Sequence, residues 1–189
     1  MKSNFVEYIN QLDGNLIIWI QSSLTLHQLD VFFNYITDLN KNYYFQIFVI
    51  LPLIIYWIMR EKKTGLYKFL GLLISLIIID SFCGLIVKKL FVRLRPFEAF
   101  SEIIQKSPAS GYSFVSNHAA NMFGIAVYLS VFYPRWKSLW WGLALLIGFS
   151  RMYNGVHYFT DVFFGGMIGV VISLFIARSL NSRFDLVKK

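Results

Sequence analysis

The chain reads as an all-α, polytopic membrane bundle of five or six transmembrane helices, preceded by a stretch that also fits N-terminal interfacial helices. Three observations predict this. Of 189 residues, 57% are hydrophobic and 15% charged, whereas soluble domains carry about 25% charged residues. Apolar runs recur at close to the roughly 20 residues that a helix needs to cross the hydrocarbon core. Trp57, Trp136, Trp140 and Trp141 fall near the ends of those runs, where amphipathic rings favour the membrane interface.

The N-terminal part, residues 1–42, admits two readings. Leu16–Ile20 is apolar but closely flanked by Asp13 and Gln21, and Val31–Ile36 is amphipathic between Asp30 and Asp38. Two helices lying along the membrane fit this pattern, as does a sixth span from about Phe5 to Leu26. The start, Met1-Lys2-Ser3-Asn4, leads into no apolar core with a small-residue cleavage site.

Residues 43–189 form the core of the single membrane domain predicted for 1–189. Five spans are expected, at Tyr43–Met59, Tyr67–Val87, His118–Phe132, Leu139–Tyr153 and Asp161–Leu180. The segment Phe97–Phe114 holds Ser107-Pro108-Ala109-Ser110-Gly111, too much turn character to span; it reads as a lid or a connection. Cys83, the one cysteine, lies in an apolar run and reads as a small buried hydrophobe.

The net charge of +8 does not point to nucleic acid, because the cations sit between apolar runs and form no basic stripe. They do set an orientation. One face receives Arg60, Lys62, Lys63, Lys68, Arg135, Lys137, Arg178, Arg183, Lys188 and Lys189. The other receives Lys2, Lys41, Lys88, Lys89, Arg93, Arg95, Lys106 and Arg151. With Lys88, Arg95 and Arg151 set aside as site residues, the first face carries the excess and is expected to be cytoplasmic.

Three clusters fall on the opposite face: Lys88-x6-Arg95-Pro96, Ser116-Asn117-His118, and Ser150-Arg151-x5-His157-x3-Asp161. A phosphate ester repels nucleophiles, so its cleavage needs cations around the oxygens and a positioned nucleophile. Lys88, Arg95 and Arg151 supply the cations. Ser116, Asn117 and backbone N–H groups at a helix start add phosphate-binding donors. His157 is the expected nucleophile, since a neutral imidazole can attack phosphorus and form a phosphohistidine. Asp161, four residues on, shares a helical face with it and can fix its tautomer. His118 is the expected general acid for the leaving oxygen. No His/Asp/Glu cluster has ligand spacing, so no metal or other cofactor is expected.

These motifs resemble the type 2 phosphatidic acid phosphatase superfamily, whose signature is K-x6-RP, PSGH and SR-x5-H-x3-D. The first and third match throughout. The second reads Val115-Ser116-Asn117-His118, departing at two of four positions. Asn117 in place of glycine suits a left-handed backbone position. The resemblance implies a metal-independent membrane phosphatase acting on lipid A 1-phosphate, undecaprenyl pyrophosphate, phosphatidylglycerol phosphate or phosphatidic acid. It is most similar in character to bacterial members, with the site on the periplasmic side of the inner membrane. The expected partners are the phosphorylated lipid and the bilayer. A phosphotransferase with the same intermediate and a non-catalytic lipid-phosphate binder or transporter are the alternatives.

Other residues read as structural. Lys89, Arg93, Lys106, Arg135 and Lys137 are expected to snorkel to the interface. Asp80 is expected to make a buried hydrogen bond or ion pair that steadies the helices. His27 reads as an ordinary interfacial histidine. Gly165, Gly166 and Gly169 are expected to let helices pack closely.

Overall fold

The computed structural model describes residues 2–39 and 42–186. Among them there is no strand. The helices are α1 (Lys2–Leu24), α2 (His27–Thr37), α3 (Tyr43–Glu61), α4 (Lys63–Leu90), the single turn α5 (Pro96–Ala99), α6 (Asn117–Phe132), α7 (Lys137–Tyr153) and α8 (Phe159–Phe184). Each of the five expected spans is therefore a helix. Three of them, α3, α4 and α8, are long and apolar enough to cross a membrane. Helices α6 and α7 have 16 and 17 residues, about 24 and 26 Å of rise against a hydrocarbon core near 30 Å.

The central pair is α6 and α8. In lipid, burying apolar surface gains nothing from leaving water, so close backbone approach carries the packing. Glycines on α8 make that approach possible. A Cβ at Gly169 would lie 1.9 Å from Ala120 O, and one at Gly165 would lie 2.6 Å from Ser116 O. The glycine run thus serves packing, as expected. Around this pair lie three apolar layers. Ile17, Ile20, Phe33, Tyr153 and Tyr158 fill the site end. Ile79, Cys83, Val87, Val115 and Ala120 fill the middle. Tyr128, Phe132, Ala177 and Leu186 fill the far end. Cys83 is fully buried and unbridged.

The N-terminal part forms two helices, α1 and α2, the first covering most of the Phe5–Leu26 stretch. α1 is one continuous helix, but it is not apolar enough to be counted with the spanning helices. The polar residues that break its hydropathy are buried against the site end. Gln21 donates to Ile104 O (2.8 Å) and Tyr153 O (3.0 Å) and accepts from Ile104 N (2.9 Å). Asp13 accepts from Arg93. Both residues pin loops.

The charge assignment also needs correction. The expected 60–68 loop is the single residue Lys62, between the ends of α3 and α4. Lys68 lies inside α4, buried, with Nζ 2.6 Å from Glu61 Oε2. Lys106 does not snorkel: its Nζ lies 2.6 Å from Asp30 Oδ1 and 4.3 Å from the Tyr153 ring centre. Lys89, Arg135, Lys137 and His27 are exposed. Lys41, Lys188 and Lys189, also used to set orientation, lie outside the described residues.

Candidate active site

The three motifs meet at one end of the bundle. Lys88 lies in the last turn of α4, Arg95 precedes α5, Ser116 caps α6, Arg151 ends α7, and His157 lies in the short connection to α8. Local chemistry fixes each position. Ser116 Oγ accepts from Ala119 N, closing the α6 N-terminus. Asp161, in the first turn of α8, accepts from Tyr158 N at 2.9 Å, closing the α8 N-terminus. Its backbone carbonyl accepts from Ser116 N at 3.1 Å, so two motif segments are tied by one backbone hydrogen bond.

His157 is 3% exposed and its two nitrogens face different groups. Nδ1 lies 3.5 Å from Asp161 Oδ2. Nε2 lies 3.3 Å from Arg95 Nη1. Burial pushes the imidazole down to about 3, with Arg95 and Arg151 adding to the shift and Asp161 opposing it. The ring is therefore neutral near pH 7, the form in which a nitrogen lone pair is available.

Arg95 is buried in a cradle of carbonyls. It donates to Gly111 O (2.9 Å), Ser110 O (2.8 Å) and Val156 O (2.7 Å). Lys88 Nζ donates to Tyr112 O at 2.7 Å. The segment between the first two motifs thus wraps the cations with its backbone. Arg151 Nη1 donates to Thr37 Oγ1 at 2.6 Å, while its buried Nε has no hydrogen-bond partner. His118 Nε2 faces Asp38 Oδ1 at 3.7 Å, and its side chain is a quarter exposed.

Two expectations are corrected here. Arg93 does not snorkel. Its Nη1 lies 2.7 Å from Asp161 Oδ1 and its Nη2 lies 2.8 Å from Asp13 Oδ2, with its guanidinium carbon 3.8 Å from the Tyr158 ring centre. Asn117 needs no left-handed backbone: it opens α6, and its φ is not positive. Its side chain turns to α4 and donates to Asp80 Oδ1 at 3.1 Å. Asp80 does steady α4 against α6, as expected, but it is exposed and not buried.

Sequence reasoning missed Arg93, Asp13, Thr37, Asp38, Ser113 and Thr160. Ser113 Oγ donates to Asp161, and Arg93 also donates to Thr160 Oγ1 at 2.7 Å. For Arg93 the one available signal was its place inside the Lys88–Arg95 interval. For Thr37 and Asp38, at the end of an amphipathic helix far away in the chain, there was none.

Comparison with known proteins agrees with this geometry. The PAP2 superfamily model matches residues 68–185, so the chain belongs to the PAP2 superfamily and is a membrane lipid phosphatase of that family. A lipid A 4'-phosphatase from Porphyromonas gingivalis is 26% identical over 180 residues, covering 92% of this chain and 75% of that protein. The bacitracin transport permease protein BcrC of Bacillus licheniformis is 29% identical over 159 residues, 76% of each. The crystal structure of Aquifex aeolicus LpxE superposes with a TM-score of 0.67 at 27% identity, covering 87% of this chain and 93% of that one.

Proposed function

We propose that this chain hydrolyses the phosphate or pyrophosphate of a membrane lipid through a phosphohistidine. The observation that carries the reading is the split environment of His157: one nitrogen toward a carboxylate, the other toward a guanidinium. A phosphate drawn to Arg95, Arg151 and Lys88 brings phosphorus in front of Nε2. Nε2 attacks, the bond from phosphorus to the lipid oxygen breaks, and His118 gives its proton to that oxygen. Asp161 balances the positive charge that forms on His157. Water then attacks the phosphohistidine, His118 takes the proton back, and inorganic phosphate leaves. The three cations supply the charge that metal ions supply elsewhere, so activity is expected to survive chelators. Asn117 contributes a backbone N–H group at the start of α6, whereas the Ser116 N–H is already given to Asp161 O.

The lipid is proposed to be lipid A or a related glycolipid phosphate, undecaprenyl pyrophosphate or phosphatidylglycerol phosphate. The proposed setting is a bacterial inner membrane with the site facing the periplasm. The transport wording in one relative's name favours a second reading, a lipid-phosphate carrier. Carriage uses the cations but has no need of two imidazoles and a carboxylate on one of them.

Rapid quench of purified protein with radiolabelled lipid phosphate tests the reading. An alkali-stable, acid-labile label on the wild-type protein, absent from His157→Ala, is expected. Phosphate release by His157→Ala within tenfold of wild type sinks the reading. Label passed to an added alcohol identifies a phosphotransferase instead.

A further inference from the structure

A polar trio sits on the outer flank of the site, at the seam between α4 and α6. Asn117 and Asn121, one helical turn apart, both donate to the same oxygen, Asp80 Oδ1, at 3.1 and 3.0 Å. Their own amide oxygens are buried with no hydrogen-bond partner. Asp80 itself is exposed, although it lies within the apolar, membrane-spanning length of α4. A carboxylate within a membrane-spanning helix is costly unless something donates to it. Steadying α4 against α6 does not require that cost, because two amides can hydrogen-bond each other without an ion.

Position gives the cost a purpose. Asn117 lies between Ser116 and His118. Asn121 is three residues after His118, so the two share a helical face. In the proposed reaction His118 protonates the oxygen that stays with the lipid. The leaving lipid then lies by the start of α6, where Asn117 and Asn121 stand on either side of His118 in the chain and hold Asp80.

We propose that Asp80, oriented by Asn117 and Asn121, is a hydrogen-bond-accepting subsite for a donor on the lipid next to the scissile phosphate. This rests on the hydrolase reading and narrows its substrate class. The donor is a hydroxyl or an amide N–H close to the phosphate ester, as in a phosphorylated glycolipid with amide-linked, hydroxylated acyl chains. An isoprenoid diphosphate carries no such group. Its chain would put CH groups against the carboxylate and strip its water without return.

The test uses the full chain purified into nanodiscs. Wild type, Asp80→Ala, Asp80→Asn and Asn121→Leu are assayed for phosphate release from three lipids: an amide-linked, 3-hydroxyacyl glucosamine phospholipid, dioleoyl phosphatidic acid and undecaprenyl diphosphate. Wild type is expected to prefer the glycolipid. In Asp80→Ala, the ratio of kcat/KM for the glycolipid to that for undecaprenyl diphosphate should fall about tenfold, mostly through KM. Asp80→Asn and Asn121→Leu should show smaller falls. These two guard against a general loss of structure, which would lower all three lipids together. A ratio unchanged within twofold in all three variants overturns the subsite. So does wild-type turnover of undecaprenyl diphosphate alone, which leaves the hydrolase reading standing. Phosphate release from none of the three overturns both.

Discussion

The bundle buries a charged cluster at each end, and the two differ in how completely they are satisfied. At the far end, Lys68 donates to Glu61 (2.6 Å) and Tyr133 (3.4 Å), and Tyr133 donates back to Glu61. The Phe132 and Tyr133 rings flank the ammonium at 5.3 and 4.9 Å, and Trp57 donates to Tyr133. At the site end, buried polar atoms remain without hydrogen bonds: Arg151 Nε, Arg93 Nε and His157 Nδ1 among them. None of the far-end group is in that condition among the described residues. Native interiors leave few buried polar groups unpaired. A buried ion pair is therefore no mark of function, but buried donors held open beside a neutral imidazole are.

The comparison predicts opposite outcomes for charge removal at the two ends. The largest effect is expected for Asp161→Asn. It keeps the shape but loses the charge facing His157 and Arg93, and phosphate release should fall by about a thousandfold or more. Activity within tenfold of wild type would break the contrast. His118→Gln should lower kcat by about a hundred- to ten-thousandfold. The loss should shrink on a lipid analogue whose leaving group needs no proton, such as a p-nitrophenyl ester. An equal loss on both substrates would remove His118 from the acid role.

Arg93 sharpens the point. It touches Asp161, Asp13 and Thr160 and stacks on Tyr158, so in the proposed reaction it acts through Asp161 as a positioning residue. Arg93→Lys keeps one charge but cannot span two carboxylates with a planar fork. A fall of about tenfold in kcat is expected with little change in KM. A KM-only effect would instead place Arg93 on the substrate.

The sequence disclosed the residues that gather at the candidate site more fully than those that support them. Lys88, Arg95, Ser116, Arg151, His157 and Asp161 stand at fixed spacings because each is tied to a helix end, and spacing survives in one dimension. Arg93, Thr37, Asp38 and Asp13 reach the site across long chain separations, which no local pattern encodes. The five core helices were legible because apolar length is a local property. The role of α1 was not. Asp13 and Gln21 lower its hydropathy and so read as defects in a span, whereas they are ties to the site loops. Lys68 misled for a related reason: a cation near a turn counts toward orientation only if it reaches water, and this one is folded inward onto Glu61.

At the far end, Lys68→Met should leave kcat within about twofold and still cost stability. An uncompensated Glu61 beside Tyr133 is worth about 3 kcal/mol in comparable buried pairs. The double variant Lys68→Met/Glu61→Gln should recover most of that loss in a thermal melt in detergent. A large fall in kcat in the double variant would mean that the two ends are coupled.

The smallest expected effect is a pH dependence between about pH 5 and 7, above the carboxylate range, where the site-end imidazole titrates in the unfolded chain. His157 is held near 3 by burial, below its unfolded value near 6.5. Between those values the unfolded chain binds a proton that the folded one does not, so stability rises with pH across that window and is lost as pH falls through it. One such group gives a slope of up to about 1.4 kcal/mol per pH unit. His157→Gln cannot titrate and should flatten that slope, whereas the Lys68→Met/Glu61→Gln pair should leave it in place. Thermal melts of the three proteins from pH 5 to 7 decide this. A His157→Gln protein that keeps the full acid slope would show that the imidazole is not buried neutral, and with that the distinction between the two ends would fail.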